Sequence, residues 1–468
     1  MQLKTKNNIT ILLVLLSICM SHCSFGQNTV FTYNEYLGFV KKFHPLVKIA
    51  NLEISQAQAN LLQARGAFDP KIEADFNSKN FKGNSYYSIF NGTFKIPTWY
   101  GIELKAAFEN NEGLYLNPEQ TLPNSGLTSV GITIPVLQGL VINQRMADLR
   151  KAKSQIKLSQ AEQKMLAIEV LYEASLAYFN WKRNYDEVKL YETYLKNASI
   201  RLNGVQKLIE AGDKPAIDSV EAGITLKNRE LNLEESRFKL LKSKLELANF
   251  LWTTDNLPLE LDDQLVPDVS LQESINSILK TNDLQLSNFS LDNHPKINAL
   301  ETKIELLSID KKLKANMLLP KLDVGYSYIS EPAYFSNYRF QDNKIGINAY
   351  FPIFLRKERG ALKLAKQKIQ AQEFELSLAK IQLTNKVKAQ QNEINTVAKQ
   401  KNIISELVAA NAALLDAEEK LFNAGESSLF LINTRENNLV SAQLNKISIE
   451  NRFLQSHVEL FKTLANPD

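Results

Sequence analysis

HPLVKIANLEISQAQANLLQARGAFDPKIEADFNSKN (residues 44–80) and HPKINALETKIELLSIDKKLKANMLLPKLDVGYSYIS (residues 294–330) open and break at the same marks. His44-Pro45 pairs with His294-Pro295, and Pro70-Lys71 with Pro320-Lys321, each at an offset of 250. Proline suits the first position of a helix, where its missing N–H would be unpaired anyway. A second proline stops the helix. The chain therefore carries an internal repeat, which sets its organisation before any local detail.

Strand-like alternation follows each of these helices. Ile72, Ala74 and Phe76 alternate with Glu73, Asp75 and Asn77, and Leu322, Val324, Tyr326 and Tyr328 with Asp323, Gly325 and Ser327. A second alternating stretch closes each strand region, through Val130, Ile132, Ile134 and Val136 in the first half and Ile345, Ile347, Ala349 and Phe351 in the second. An apolar face opposite a polar or small one fits a membrane barrel with lipid outside and water inside. A soluble sheet with one wet face would read the same way. The first region spans about 71–136, the second 321–352. The excess in the first holds two more alternating stretches, Phe90–Ile96 and Ile102–Phe108, and a loop with Asn117-Pro118-Glu119. This excess is expected to be a long external hairpin, with six strands as the alternative.

Long helices come next. Residues 140–211 hold no proline and one glycine, Gly204, and residues 361–424 hold neither. Leu158, Ala161, Met165, Ile168, Tyr172, Ser175 and Phe179 step by three and four, as do Leu362, Ala365, Ile369, Gln372, Leu376, Ala379 and Leu383. That is coiled-coil spacing, with one polar interruption per seam. About 70 helical residues make a rod of roughly 100 Å. Each rod ends at a matching turn, Ala211-Gly212-Asp213 and Ala424-Gly425-Glu426, at an offset of 213. Glycine fits the left-handed residue that closes a helix. Return helices then run over about 217–251 and 429–464. The short helix plus the return helix sums to about 60 residues, nearly the length of the long one at the same rise.

Lys4, Lys6, the apolar run Ile9–Met20 and the small residues Ser24 and Gly26 read as a secretory signal peptide over 1–26. The two cysteines, Cys19 and Cys23, lie inside it. Cys23 is a conceivable lipid-attachment site, but His22 poorly suits the small residue expected before it. Cleavage after Gly26 leaves no thiol for disulfides, metal or nucleophilic catalysis. The first repeat then covers 27–251, a linker with short elements 252–290, and the second repeat 291–468. A net charge of +4 with 23% charged residues gives no reason to propose nucleic acid.

The ordered, duplicated pieces resemble the TolC family of outer-membrane efflux proteins over nearly all of the mature chain. They are His44-Pro45 and His294-Pro295, where that family usually has Asn-Pro, and the junction prolines Pro70 and Pro320. Ile134-Pro135-Val136-Leu137-Gln138-Gly139 and Phe351-Pro352-Ile353-Phe354 look like its strand-to-helix exits. The two Ala-Gly-acid turns complete the set. The resemblance implies a mainly α fold with a β-barrel portion, in which antiparallel coiled-coil helices form a periplasmic tunnel. It implies a homotrimer, four strands per chain, and one shared barrel of 12. It also implies an outer-membrane exit duct for small molecules or proteins, with outer-membrane lipid, a periplasmic adaptor and an inner-membrane pump as partners.

By the same resemblance, a constriction near the helix turns maps to Asp218 and Glu221, six and nine residues after Gly212. Leu431 and Thr434 occupy those places after Gly425 and depart in charge. Three copies of Asp218 and Glu221 would form a cation-attracting ring. Asp218 could instead simply charge the start of its helix. Phe430 is an apolar constriction candidate. No phosphate loop, metal cluster or triad pattern appears, so no cofactor and no enzyme is expected. His44, His294 and His457 lack a shared catalytic partner. Two other readings stay open, a soluble periplasmic coiled-coil adaptor and a surface scaffold.

Overall fold

The computed structural model describes residues 29–262, 264–279 and 291–465. The expected signal peptide, with Cys19 and Cys23, lies outside them. The chain falls into two compact units, each built from both repeats.

One unit comprises 49–165 and 290–383. It holds a six-stranded sheet of β2 (Lys71–Phe81), β3 (Asn84–Pro97), β4 (Glu103–Glu112), β5 (Leu127–Pro135), β7 (Lys321–Ser330) and β8 (Asn343–Tyr350), in that spatial order. Every neighbouring pair is antiparallel. The expected count of four strands is thereby corrected to six, and the excess of the first half is not an external hairpin. Two tight turns explain the difference. Lys82 and Gly83 both have positive φ, the two-residue turn that matches strand twist and joins β2 to β3. At the other end Thr98 N–H donates to Ile102 O at 2.8 Å, and Gly101 sits at φ 76° against the Gly139 carbonyl, where a side chain would collide. Pairing Ile96 with Leu104 and Phe94 with Ala106 then keeps apolar residues on one face. The equal halves of a duplicated chain suggested equal strand numbers; the local turn chemistry overrides that symmetry.

The same unit contains most of α2 (Pro45–Gly66), all of α6 (Pro295–Asn316), and the parts of α3 (Gln144–Glu210) and α7 (Arg356–Asn423) that adjoin the strands. Ile142, Met146 and Ala147 pack on Ile309 and Leu313, and Leu158 and Ala161 on Ala299.

The other unit takes residues up to Lys48, Leu166–Phe289 and everything from Thr384. Its elements are β1 (Val30–Phe31), α1 (Tyr33–Phe43), most of α3 and α7, α4 (Ile217–Ala248), β6 (Val266–Pro267), α5 (Leu271–Ile278) and α8 (Leu429–Leu464). Its core gathers Tyr33, Tyr36, Tyr178, Phe179 and Trp181 with Leu271, Ile275, Leu454 and Val458. The rings of Tyr33 and Tyr36 lie 5.3 and 5.4 Å from that of Tyr178. Ser175, the polar interruption of the first seam, is buried because its hydroxyl donates to Leu171 O and shares a 2.6 Å bond with Tyr33 OH. Tyr178 OH donates to Phe31 O and accepts from Asp268 N–H, fastening β1 and the segment after β6 to α3. The segment read as a linker thus supplies core residues from α5.

Helix α1 was not foreseen. Its signal is Thr32-x-x-Glu35, a reciprocal capping box. Both His-Pro pairs act as helix caps. The His44 Nδ1 accepts from Leu46 N–H at 3.3 Å and the His294 Nδ1 from Lys296 N–H at 3.1 Å, doing what an asparagine oxygen would do.

Acid should weaken this helical unit. Burial, with Lys401 nearby, lowers the His457 pKa to about 4, and burial also lowers that of His44. Both groups bind protons more readily once unfolded, where histidine titrates near ~6.5. Their stabilisation is therefore complete above that value and lost as pH falls through the folded pKa. The melting temperature should drop between pH 6.5 and about 4. His457→Leu should flatten that drop, since neither ring nitrogen has a hydrogen-bond partner among the described residues. An unchanged profile in the variant would remove His457 from the account.

Candidate functional site

Two regions carry functional geometry, one in each unit. The first is the sheet. Cross-strand register lines up Ile72, Phe94, Ala106, Val130, Tyr328 and their neighbours on a single face through all six strands. The opposite face carries Glu73, Thr93, Lys105, Gly131, Ser327 and Lys344. Aromatic residues gather at both strand ends. Tyr86 stacks on Tyr115 at 4.6 Å, and Tyr328 contacts Phe335 and Tyr338, at the end with the longer loops. Phe68, Trp99, Tyr100, Phe351 and Phe354 lie at the end that leads into helices, where Phe68 stacks on Trp99 at 5.7 Å. A strand of 10 residues such as β7 spans about 33 Å at ~3.3 Å per residue. A tilt of ~40° brings that to roughly the ~25 Å of a barrel's lipid-facing band between aromatic girdles. The junction prolines Pro70, Pro135, Pro320 and Pro352 all lie where strands meet helical segments. No helix among the described residues is long and apolar enough to cross a membrane.

The second region is the pair of helix tips. Gly212 and Gly425 have φ 84° and 82°. Asp213 N–H donates to Leu208 O and Glu426 N–H to Leu421 O, both at 2.9 Å, so the two turns close their helices identically. Nothing lies near where a side chain at Gly212 would project, so Gly212→Ala should cost only the left-handed backbone strain of about 1–2 kcal/mol. Hydrogen exchange should then quicken locally over 208–216, and an unchanged rate would contradict this cap.

Above the turns, three helices meet on one carboxylate and a fourth joins through one of its arginines. Glu436 on α8 is 1% exposed. Its Oε2 accepts from Arg201 Nη1 of α3 at 2.6 Å and lies 3.8 Å from Arg229 Nη2 of α4. Arg201 also reaches Glu419 of α7 at 3.4 Å, and Arg229 donates to Asn437 Oδ1 at 2.6 Å. The Arg229 guanidinium lies 5.7 Å from the centre of the Tyr194 ring. Reading the sequence for gate residues missed this cluster. A signal existed, because Leu429, Ile432, Glu436 and Leu439 share one helical stripe, and Arg229 sits on the stripe of Ala222, Leu233, Ser236 and Leu247. A charge at a seam position implies a buried partner.

Asp218 and Glu221 lie one turn apart on α4. Asp218 is half-buried in the first turn of α4, which lacks a side-chain cap. Glu221 accepts from Asn433 Nδ2 at 3.0 Å, tying α4 to α8. Phe430 is 66% exposed. Leu431 is exposed and Thr434 donates to Phe430 O. A groove of about 380 Å³ beside the tips is lined by Arg201, Gly204, Leu208, Glu419, Phe422 and Ile432, among others. Among the described residues no acidic, histidine or cysteine group is arranged to hold a metal.

A helix–strand–helix repeat with matching tips and an amphipathic sheet is a specific combination. Residues 286–466 match the outer membrane efflux protein family. Over most of its length the chain shares the fold of solved outer membrane channels. The MtrE outer membrane channel of Neisseria gonorrhoeae, in its open state, is 14% identical with a TM-score of 0.65, over 92% of this chain and 88% of MtrE. The CmeC outer membrane channel of Campylobacter jejuni is 13% identical with a TM-score of 0.64, over 92% and 85%. VceC of Vibrio cholerae is 13% identical with a TM-score of 0.64, over 92% and 95%. No curated protein sequence matches. The match in the second half is to the kind of protein that the repeat motifs resembled, and the fold of the chain is that of solved outer membrane channels.

Proposed function

We propose that the chain is one subunit of a homotrimeric outer-membrane duct, the passive exit of a tripartite efflux or secretion system. A periplasmic adaptor and an inner-membrane pump would supply contact and energy. The observation that carries the assembly is an apolar stripe that none of the described residues covers. On α4, Ile217, Val220, Ile224, Leu231, Phe238, Leu241 and Leu245 are all exposed. They recur at the steps of three, four and seven that mark a coiled-coil seam. On α7, Leu407, Leu414 and Leu421 repeat every seven residues and are exposed as well. Two such stripes on one chain suit a head-to-tail ring, in which each subunit lends one and receives the other.

At the tips, Asp218 is the acidic lining candidate and Phe430 the apolar one, whereas Glu221 is engaged within the chain. Asp218→Asn should lower the preference for cations in bilayer recordings by a few-fold; an unchanged ratio would leave Asp218 as a helix-start charge.

The assembly is tested by the mass of the protein extracted with detergent from the outer-membrane fraction, by light scattering corrected for bound detergent. Three chains per particle is the expected result. A monomer recovered without detergent would overturn the duct and favour a soluble coiled-coil adaptor.

A further inference from the structure

We infer that three copies of this chain close a barrel of eighteen strands, sealed by β2 of one copy pairing with β8 of the next. The inference rests on the trimeric duct proposed above. It goes further by assigning the seam and the strand number.

Three observations lead there. The sheet has six strands and two free edges, β2 and β8. A free edge in hydrocarbon leaves a row of backbone N–H and C=O groups without partners, so the edges must be paired. Six strands are also fewer than the eight of the smallest membrane barrels. Second, the directions match. Strand β2 leaves the helix end and β8 returns to it, so β8 beside the next copy's β2 continues the antiparallel order.

Third, the β2–β3 hairpin carries the same apolar face as the rest of the sheet. Ile72 pairs with Phe94, Ala74 with Gly92 and Phe76 with Phe90, on the same face as Leu104, Val130, Tyr326 and Ile347. Glu73, Asp75 and Asn77 fall on the polar face with Lys105, Ser129 and Asn348. A hairpin standing in water would have no cause to carry that apolar face in register. The apolar residues of the two edge strands are also among the barest in the sheet. Ile72 and Phe76 are 83% and 66% exposed, and Ile345 and Ile347 are 65% and 66%. Seam formation would cover one flank of each.

Barrel diameter grows roughly in proportion to strand number. Eighteen strands give an opening about one and a half times as wide as twelve. Barrels of about that size leave a water-filled channel.

The test is a strand count, by electron cryomicroscopy of the full-length protein extracted from the outer membrane. Eighteen strands around a three-fold axis is the expected result. Twelve strands, with the 71–97 hairpin outside the wall, would overturn the inference and leave the duct standing. A particle without a barrel would overturn both. Cysteine pairs give a second reading, since the chain's two cysteines both precede residue 27. Asp75→Cys combined in turn with Lys344→Cys, Gly346→Cys and Asn348→Cys should yield a disulfide between copies at one register. Lys105→Cys with the same partners should yield none, because three strand spacings, about 14 Å, separate them. A disulfide from the Lys105 series would place β4 at the seam and refute β2.

Discussion

Glu436→Ala should destabilise the helix tips by about 3–5 kcal/mol, the cost of leaving buried cations without their anion. Arg201 and Arg229 have side chains only 14% and 7% exposed, and both converge on Glu436 from different helices. Neither can turn to water without opening α3 or α4. The change should appear as accelerated hydrogen exchange over 197–229 and 415–437, with the aromatic core around Trp181 unaffected. The combined variant Arg201→Met, Arg229→Leu and Glu436→Leu should recover much of the loss, because a buried ion triad can be replaced by apolar side chains of similar volume. Exchange in Glu436→Ala equal to that of the parent would show that the cluster holds nothing together.

The second large effect contrasts neighbours on one strand. Val130 and Ser129 adjoin on β5 and point to opposite faces. Val130→Arg should cost roughly 2–4 kcal/mol, as for a cation at the lipid-facing midplane of a barrel. Ser129→Arg should cost far less, since its side chain would enter water. Urea titration of folding into lipid vesicles reads both. Equal costs would mean that the apolar face does not meet lipid.

Much of this architecture was legible in the chain. The marks His44-Pro45, Pro70, His294-Pro295 and Pro320 located four helix boundaries, because proline and a capping side chain act locally. Gly212 and Gly425 located the tips for the same reason, through their positive φ. The heptad steps from Leu158 to Phe179 identified a packed seam, since helix periodicity does not depend on what lies opposite. The strand number was less accessible. Alternation at Phe90–Ile96 and Ile102–Phe108 was visible, but membership of a sheet depends on which strand lies alongside, and the symmetry between repeats suggested fewer. The buried cluster on Glu436 was hidden because its members lie up to 235 residues apart. Only the placement of a charge on an apolar stripe hinted at it. The gate residues were carried by resemblance alone, and Glu221 turned out to face Asn433 of its own chain.

The central claim is that the apolar face of the sheet meets lipid. The most direct measurement places single cysteines along 127–135, attaches a fluorophore to each, and reconstitutes the protein in vesicles containing brominated lipid. The account predicts quenching that alternates with a period of two, strong at Val130, Ile132 and Ile134 and weak at Ser129, Gly131 and Thr133. Uniformly weak quenching, with the protein folded and bound to the vesicles, would contradict it.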